Sequence, residues 1–128
     1  MDISSLAKKL KIKENYATAI LSAPSDYLKL LEPLPAGVRV DYELKKKYDF
    51  VQYFVVWKKD FDSVVPKIKQ AIKLGGLIWI TYPKGTSKVP TDLNRDKLFE
   101  YLAKEGLKAV AQIAIDPVWS AMRFKPLK

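Results

Sequence analysis

The chain of 128 residues contains no histidine and no cysteine. These two residues supply the usual ligands of structural zinc sites, the Ser-His-Asp and Cys-His triads, and the sulfur of disulfides and thiol redox centres. Their absence excludes all of these chemistries. Acid–base chemistry is left to Asp, Glu, Lys and Tyr, and no pair of carboxylates shows a diagnostic spacing.

Long apolar runs are also missing. The longest, Phe50 to Trp57, is interrupted by Gln52 and is far shorter than the ~20 residues that a membrane-spanning helix needs. The first residues show no apolar segment behind basic ones of the kind that marks a secretory signal. We therefore expect one domain over residues 1–128, located in the cytoplasm, without a membrane partner.

Negative charge is scarce relative to positive charge. The chain has 23 Lys and Arg against 14 Asp and Glu, a net charge of +9, and most of the excess lies in residues 65–128. A basic surplus favours polyanions or a phosphorylated small molecule. The tightest clusters, Lys8 to Lys13 and Lys45 to Lys47, are short and are also what a solvated surface would show. With no nucleic-acid recognition motif in the sequence, a nucleic-acid-binding module is only a third alternative.

Six apolar or alternating runs predict strands, and four segments with helical periodicity predict helices. The strands are expected at 16–21, 38–42, 50–57, 77–82, 108–115 and 119–124, and the helices at 3–11, 25–31, 60–74 and 92–105. The capping residues expected at the four helix starts are Asp2 or Ser4, Ser25, Asp60, and Asp92 or Asn94. Gly75-Gly76 and Gly106 are expected to end the last two helices, and Trp57 and Trp79 to lie in the core.

Strands separated by helices of this length pair in parallel through right-handed crossovers. The order predicts a three-layer, Rossmann-like α/β fold whose mostly parallel sheet has about six strands. The final two strands are expected to form an antiparallel hairpin that adds an antiparallel edge strand.

Two segments carry a resemblance to known families. Residues 71–80, AIKLGGLIWI, resemble the "LKPGG" helix end and following strand of class I S-adenosylmethionine-dependent methyltransferases, with Leu74 where proline is common. The whole chain also resembles a family of short bacterial domains of unknown function, at residues 21–24, 83–84, 91–96 and 115–120. Together these resemblances imply a truncated methyltransferase-like fold and no particular reaction.

The departures from the methyltransferase pattern concern the cofactor. Those enzymes have a D-x-G-x-G-x-G loop after the first strand, whereas this chain has Ser22-Ala23-Pro24-Ser25-Asp26 without glycine. One strand–helix unit is also missing between Tyr42 and Phe50. Asp41 stands where the superfamily keeps a ribose-binding acid. A divergent S-adenosylmethionine-binding enzyme that uses Ser22, Ser25 and Asp41 is therefore the alternative interpretation.

A second candidate site lies further along the chain. Open parallel sheets bind ligands beyond the carboxyl ends of their strands, and residues 82–95 follow such an end. They collect cations, hydroxyls and an amide ahead of a helix N-terminus, where free N–H groups suit anions: Lys84, Ser87, Lys88, Thr91, Asn94 and Arg95. Helix capping by Thr91, Asp92 and Asn94 in a solvated loop would explain the same residues.

The leading interpretation is a non-catalytic, methyltransferase-like domain that needs no cofactor. We expect it to bind a partner protein or a small anionic ligand through residues 82–95. Trp119 is open to two interpretations, as a packing residue or as a platform for a base.

Overall fold

The structure is a computed structural model that describes residues 3–126. Helices and strands follow one another in the predicted order. The helices are α1 (Ser5–Leu10), α2 (Tyr27–Leu31), α3 (Lys58–Ala71) and α4 (Arg95–Lys104). The strands are β1 (Ala17–Leu21), β2 (Arg39–Asp41), β3 (Tyr48–Phe54), β4 (Ile72–Pro83), β5 (Leu107–Ala114) and β6 (Trp119–Pro126).

The six strands form one sheet in the order β2-β1-β3-β4-β6-β5. The first four are mutually parallel, and β6 runs antiparallel to both β4 and β5. The predicted α/β fold with a mostly parallel sheet and a C-terminal antiparallel hairpin is confirmed. The expectation of an antiparallel edge strand is wrong, because β6 inserts between β4 and β5. Its large side chains, Met122 and Phe124, are thereby buried, and β5 becomes the edge.

Helices cover both faces of the sheet and make three layers. α1 and α2 pack on one face through Leu10 and Leu31, against a cluster that includes Trp79. α3 and α4 pack on the other face through Ile68 and Leu98. Trp79 is a core residue as predicted, 1% exposed, and its indole N–H donates a hydrogen bond to the Leu10 carbonyl at 3.0 Å.

The connection from β2 to β3 contains neither helix nor strand. Residues 42–47 lead directly from one strand to the other, in agreement with the predicted loss of a strand–helix unit. Leu44 packs against the core on the α3 side of the sheet. The link therefore lies across the sheet face as an irregular segment.

The third helix differs from its prediction at both ends. It begins at Lys58, and the Lys58 N–H donates to Asp92 Oδ1 at 2.8 Å, so Asp60 lies inside the first turn and does not cap it. It ends at Ala71, and Gly75-Gly76 lie within β4. Gly75 has φ +80° where the pairing of β3 with β4 shifts register. Gly75 therefore allows an irregularity within β4. The sequence pattern of a glycine after a helix does not distinguish this use from a helix end.

Three smaller expectations are also resolved. The prediction that Trp57 lies in the core is wrong, since this residue is 40% exposed at the N-terminal boundary of α3. The second helix starts at Tyr27 after Asp26, so Ser25 is not its cap. Ser4 caps α1 by accepting the Ala7 N–H at 3.0 Å, whereas Asp2 lies outside the described residues. Across residues 3–126, no helix combines the length and apolar character needed to cross a bilayer.

Candidate functional site

The carboxyl end of β4 meets the start of β6. Tyr82 pairs with Ser120 in the antiparallel ladder, and the Lys84 N–H extends the ladder by donating to the Val118 carbonyl at 2.7 Å. The chain then leaves the sheet and enters α4 at Arg95. Asn94 caps that helix by accepting the Lys97 N–H at 2.9 Å. Both ends of the loop are therefore fixed by hydrogen bonds.

The second half of the loop is fastened to the segment that joins β3 to α3. The Thr91 hydroxyl donates to the Val56 carbonyl and accepts the Leu93 N–H. Asp92 accepts the Lys58 N–H. Both side chains are engaged in structural hydrogen bonds, but neither caps α4: Thr91 fastens the loop to Val56, and Asp92 bonds the start of α3. Of the three expected capping residues, Asn94 caps α4.

A cleft of about 440 Å³ opens at this edge of the sheet. We call it the Tyr82 cleft, and its lining consists of Tyr82, Lys84, Gly85, Thr86, Asn94, Arg95, Gln112 and Ser120. The structure thus brings together three of the predicted site residues, Lys84, Asn94 and Arg95. Ser87, Lys88 and Thr91 lie outside the lining.

Five lining residues were not among the predicted site residues: Tyr82, Gly85, Thr86, Gln112 and Ser120. Gln112 and Ser120 come from β5 and β6, and they reach the cleft only through the pairing of the hairpin with β4. A hairpin prediction that assigned the inner strand correctly would have found them.

The charge in the Tyr82 cleft is positive. Its lining contains two cationic side chains, Lys84 and Arg95, and no carboxylate. Among residues 3–126 neither cation forms an ion pair. Asn94 is less available, because its side-chain oxygen caps α4.

The Tyr82 hydroxyl is protonated at neutral pH. Burial raises the pKa of Tyr82, Arg95 opposes this effect only in part, and the nearby carboxylate of Asp96 adds to it. The phenolic oxygen accepts a hydrogen bond from the Gln112 amide at 3.0 Å. Its own proton has no protein acceptor in the described part of the chain, so it can be donated to a ligand. A phenol, an ammonium and a guanidinium on one cleft suit an oxyanion such as phosphate or carboxylate.

The loop after β1 lines a different cavity, of about 320 Å³. Ser22 and Ser25 both contribute to it, beside the exposed Tyr42. Ser22 has φ +60°, the left-handed conformation that glycine adopts most easily. The lining is largely apolar, including Ile20 and Leu28.

Asp41 is not part of that lining. Its Oδ2 accepts a hydrogen bond from the Tyr48 hydroxyl at 2.6 Å. Burial and this hydrogen bond raise the pKa of Tyr48, so the phenol remains a donor to the carboxylate. Asp41 thus helps to hold the link between β2 and β3, and the structure does not join it with Ser22 and Ser25 in one site.

Comparison with known proteins supports the fold. No family model and no curated protein matches the chain. A structure of DhpI in complex with SAH is 13% identical, with a TM-score of 0.68 over 96% of this chain and 82% of that one. Ribosomal protein L11 methylase from Lactobacillus delbrueckii subsp. bulgaricus is 9% identical, with a TM-score of 0.63 over 95% and 75%.

A putative methyltransferase from Thermoplasma acidophilum is 14% identical and reaches a TM-score of 0.58 over 99% of this chain and 76% of that one. The chain has a methyltransferase-like, Rossmann-like α/β fold. It is a short version of that fold, as the resemblance in the sequence implied. At these identities the likeness concerns the fold alone. The cytoplasmic location and the single domain stay predictions.

The residues after β1 do not fit the cofactor that such a fold implies. Pro24 has no N–H to donate and its carbonyl accepts the Tyr27 N–H at 3.0 Å. The helix that follows has only five residues. Asp41 is already bound to Tyr48. The glycine-like φ of Ser22 is the one feature in agreement.

Two further features bear on the nucleic-acid alternative. Trp119 packs edge-on against Phe54, with ring centroids 5.1 Å apart, which favours the packing interpretation over a stacking platform. Lysines also line a second basic cleft beside α3, formed by Lys45, Lys46, Lys47 and Lys67 with Leu44, Gln70 and Ala71. One of these lysines, Lys47, donates to the Gln70 carbonyl. We call this the lysine cleft.

Proposed function

We propose that the protein is a non-catalytic, methyltransferase-like domain that binds a small anionic ligand in the Tyr82 cleft. The observation that carries the proposal is the convergence of Lys84 and Arg95, neither in an ion pair within residues 3–126, on one cleft with a free phenolic proton. An oxyanion would accept hydrogen bonds from all three groups. Hydrogen bonds to charged groups contribute about 1.5–3 kcal/mol each.

The composition of the lining supports binding without catalysis. No carboxylate lines the cleft, so it lacks the general acid or base that a reaction on a bound phosphate or carboxylate would most often use. The Tyr82 pKa lies above its ordinary value, which makes its phenolate a scarce base at neutral pH. The groups in the cleft are therefore suited to bind an anion by positive charge and hydrogen bonding.

A titration with inorganic phosphate, followed by amide NMR shifts, tests the proposal. We expect shifts at Lys84, Gly85 and Arg95. The double variant Lys84→Ala/Arg95→Ala should weaken phosphate binding at least tenfold, because it removes both cations. The matched control is Lys45→Ala/Lys46→Ala, which removes two cations from the lysine cleft and should leave the affinity unchanged.

Two outcomes would contradict the proposal. One is the absence of shifts at residues 84–95 at millimolar phosphate and low salt. The other is an equal loss of affinity in both double variants, which would show general attraction of anions to a basic surface.

A divergent cofactor-binding enzyme is the second candidate. Its support is that proteins of this fold have been solved with SAH bound and that Ser22 adopts a glycine-like φ. Under this alternative, S-adenosylmethionine would contact Ser22 and Ser25, and Asp41 would have to leave Tyr48 to reach it. Binding of S-adenosylhomocysteine that is weakened by Asp41→Asn would favour this candidate over the first.

A partner protein that presents a carboxylate or phosphate to the Tyr82 cleft would compete with inorganic phosphate for the same residues.

A further inference from the structure

The free edge of the sheet is formed by β5. Its inner side pairs with β6, and the Ile115 N–H donates to the Trp119 carbonyl at 2.9 Å. Because hydrogen-bonded and non-hydrogen-bonded pairs alternate in an antiparallel ladder, Gln112 and Ala114 direct their backbone N–H and C=O groups away from β6. These groups are available to another strand.

This edge has few of the features that usually prevent pairing. Proteins protect edge strands with charged side chains, prolines, bulges or short length. Between Lys108 and Asp116 the chain has seven uncharged residues and no proline. The bulge at Val110 is the one irregularity. The opposite edge, β2, has only three residues.

An exposed aromatic side chain flanks the same edge. Tyr101 of α4 faces α3, since its ring lies 5.9 Å from that of Phe61. Leu98 and Leu102 face the sheet. Phe99 follows Leu98 by about 100° of helical rotation and so points to the side of α4 away from α3. It is 55% exposed, next to β5.

Opposite charges flank the middle of this edge: Lys108 lies in β5, and Asp116 lies two residues beyond the end of the strand at Ala114. Lys108 and Asp116 each lie four residues from Gln112. Lys108 is on the face opposite Leu107 and Ala109, which pack on the α3 side. Asp116 lines a cleft with Tyr27 and Trp119 on the α1 side. The two side chains therefore share one face, and among residues 3–126 neither is in an ion pair.

We propose that two copies of this chain associate through antiparallel pairing of β5 with β5 about a two-fold axis at Gln112. The axis brings Lys108 of each copy level with Asp116 of the other, which gives two symmetric ion pairs. Asp116 Oδ1 accepts the N–H groups of Val118 and Trp119, and its second oxygen remains for the lysine. Phe99 of each copy is covered by the other.

The pairing has a consequence for the Tyr82 cleft. Gln112 lies at the axis and also lines the cleft, where its amide holds the Tyr82 hydroxyl. The two clefts of the pair therefore flank the axis. The association proposal does not rest on ligand binding as proposed above, and the two proposals can fail separately.

Analytical ultracentrifugation over a concentration series tests the association. We expect a monomer–dimer equilibrium in the micromolar range for the unchanged chain. Lys108→Glu places like charges opposite each other and should raise the dissociation constant at least tenfold. The swap Lys108→Glu/Asp116→Lys should restore association. Lys29→Glu makes the same charge change at an exposed position of α2 and should leave the dissociation constant unchanged.

A variant in α4 tests the same interface without changing Lys108 or Asp116. Phe99→Ser should also weaken association at least tenfold, with an unchanged circular dichroism spectrum. A chain that stays monomeric up to about 1 mM would overturn the proposal. A dimer that is insensitive to both Lys108→Glu and Phe99→Ser would do the same, because another surface would then be responsible.

Discussion

A buried chain of hydrogen bonds joins α2 to the middle of the sheet. The Tyr27 hydroxyl donates to Gln52 Oε1 at 2.7 Å, and Gln52 Nε2 donates to Thr81 Oγ1 at 3.0 Å. Tyr27 is 5% exposed and the other two are fully buried. Tyr27→Phe keeps the edge-on contact with Phe54 at 4.7 Å and removes only the donor. The Gln52 oxygen then lacks a partner, at a cost of about 1–3 kcal/mol.

Urea denaturation followed by tryptophan fluorescence measures this effect. We expect the free energy of unfolding to fall by about 1–3 kcal/mol with an unchanged denaturant slope. Tyr42→Phe is the matched control, since that residue is 58% exposed, and a change within about 0.5 kcal/mol is expected. The triple variant Tyr27→Phe/Gln52→Leu/Thr81→Val should recover part of the loss, because it leaves no polar group unpaired. A loss below about 0.5 kcal/mol for Tyr27→Phe would refute the reasoning.

Three further predictions concern stability. Trp79→Phe removes the hydrogen bond to the Leu10 carbonyl and part of a buried ring, so we expect a loss of about 2–4 kcal/mol in the same assay. Asn94→Ala removes the cap of α4, and thermal or urea unfolding should show a loss of about 1 kcal/mol. Burial raises the pKa of Tyr53 to about 12, above its value of about 10 in the unfolded chain. The folded state therefore keeps the proton longer, and stability falls as the pH rises from about 10 to 12. Because Tyr53 lines a cleft open to water, we expect Tyr53→Phe to remove only about 1–2 kcal/mol of this decline in stability, measured by denaturation between pH 8 and 12.

The fold was largely predictable because its elements have strong local signals. Apolar runs such as residues 77–82 are buried strands, and Gly106, at φ +80°, follows α4 as expected. The order of the last two strands was not predictable in this way. Which strand of a hairpin pairs with β4 depends on burial of Met122 and Phe124 against α3 and α4, a tertiary effect.

The candidate site was predictable only where it is continuous in sequence. Lys84 and Arg95 stand out near a strand end and a helix start. The bonds that remove Thr91 and Asp92 from the site run to Val56 and Lys58, more than thirty residues earlier. No local pattern indicates them. Gln112 enters through the hairpin, so sequence reasoning missed it for the same reason.

We propose that this methyltransferase-like chain does not bind S-adenosylmethionine after β1 and binds an anion at the end of β4. Calorimetric titration of the unchanged chain with S-adenosylhomocysteine is the decisive measurement. We expect no saturable heat up to millimolar ligand, under conditions in which phosphate shifts the amide signals of Lys84 and Arg95. A saturating curve that is weakened by Asp41→Asn or by a bulky residue at Ser22, and unaffected by Lys84→Ala/Arg95→Ala, would contradict it.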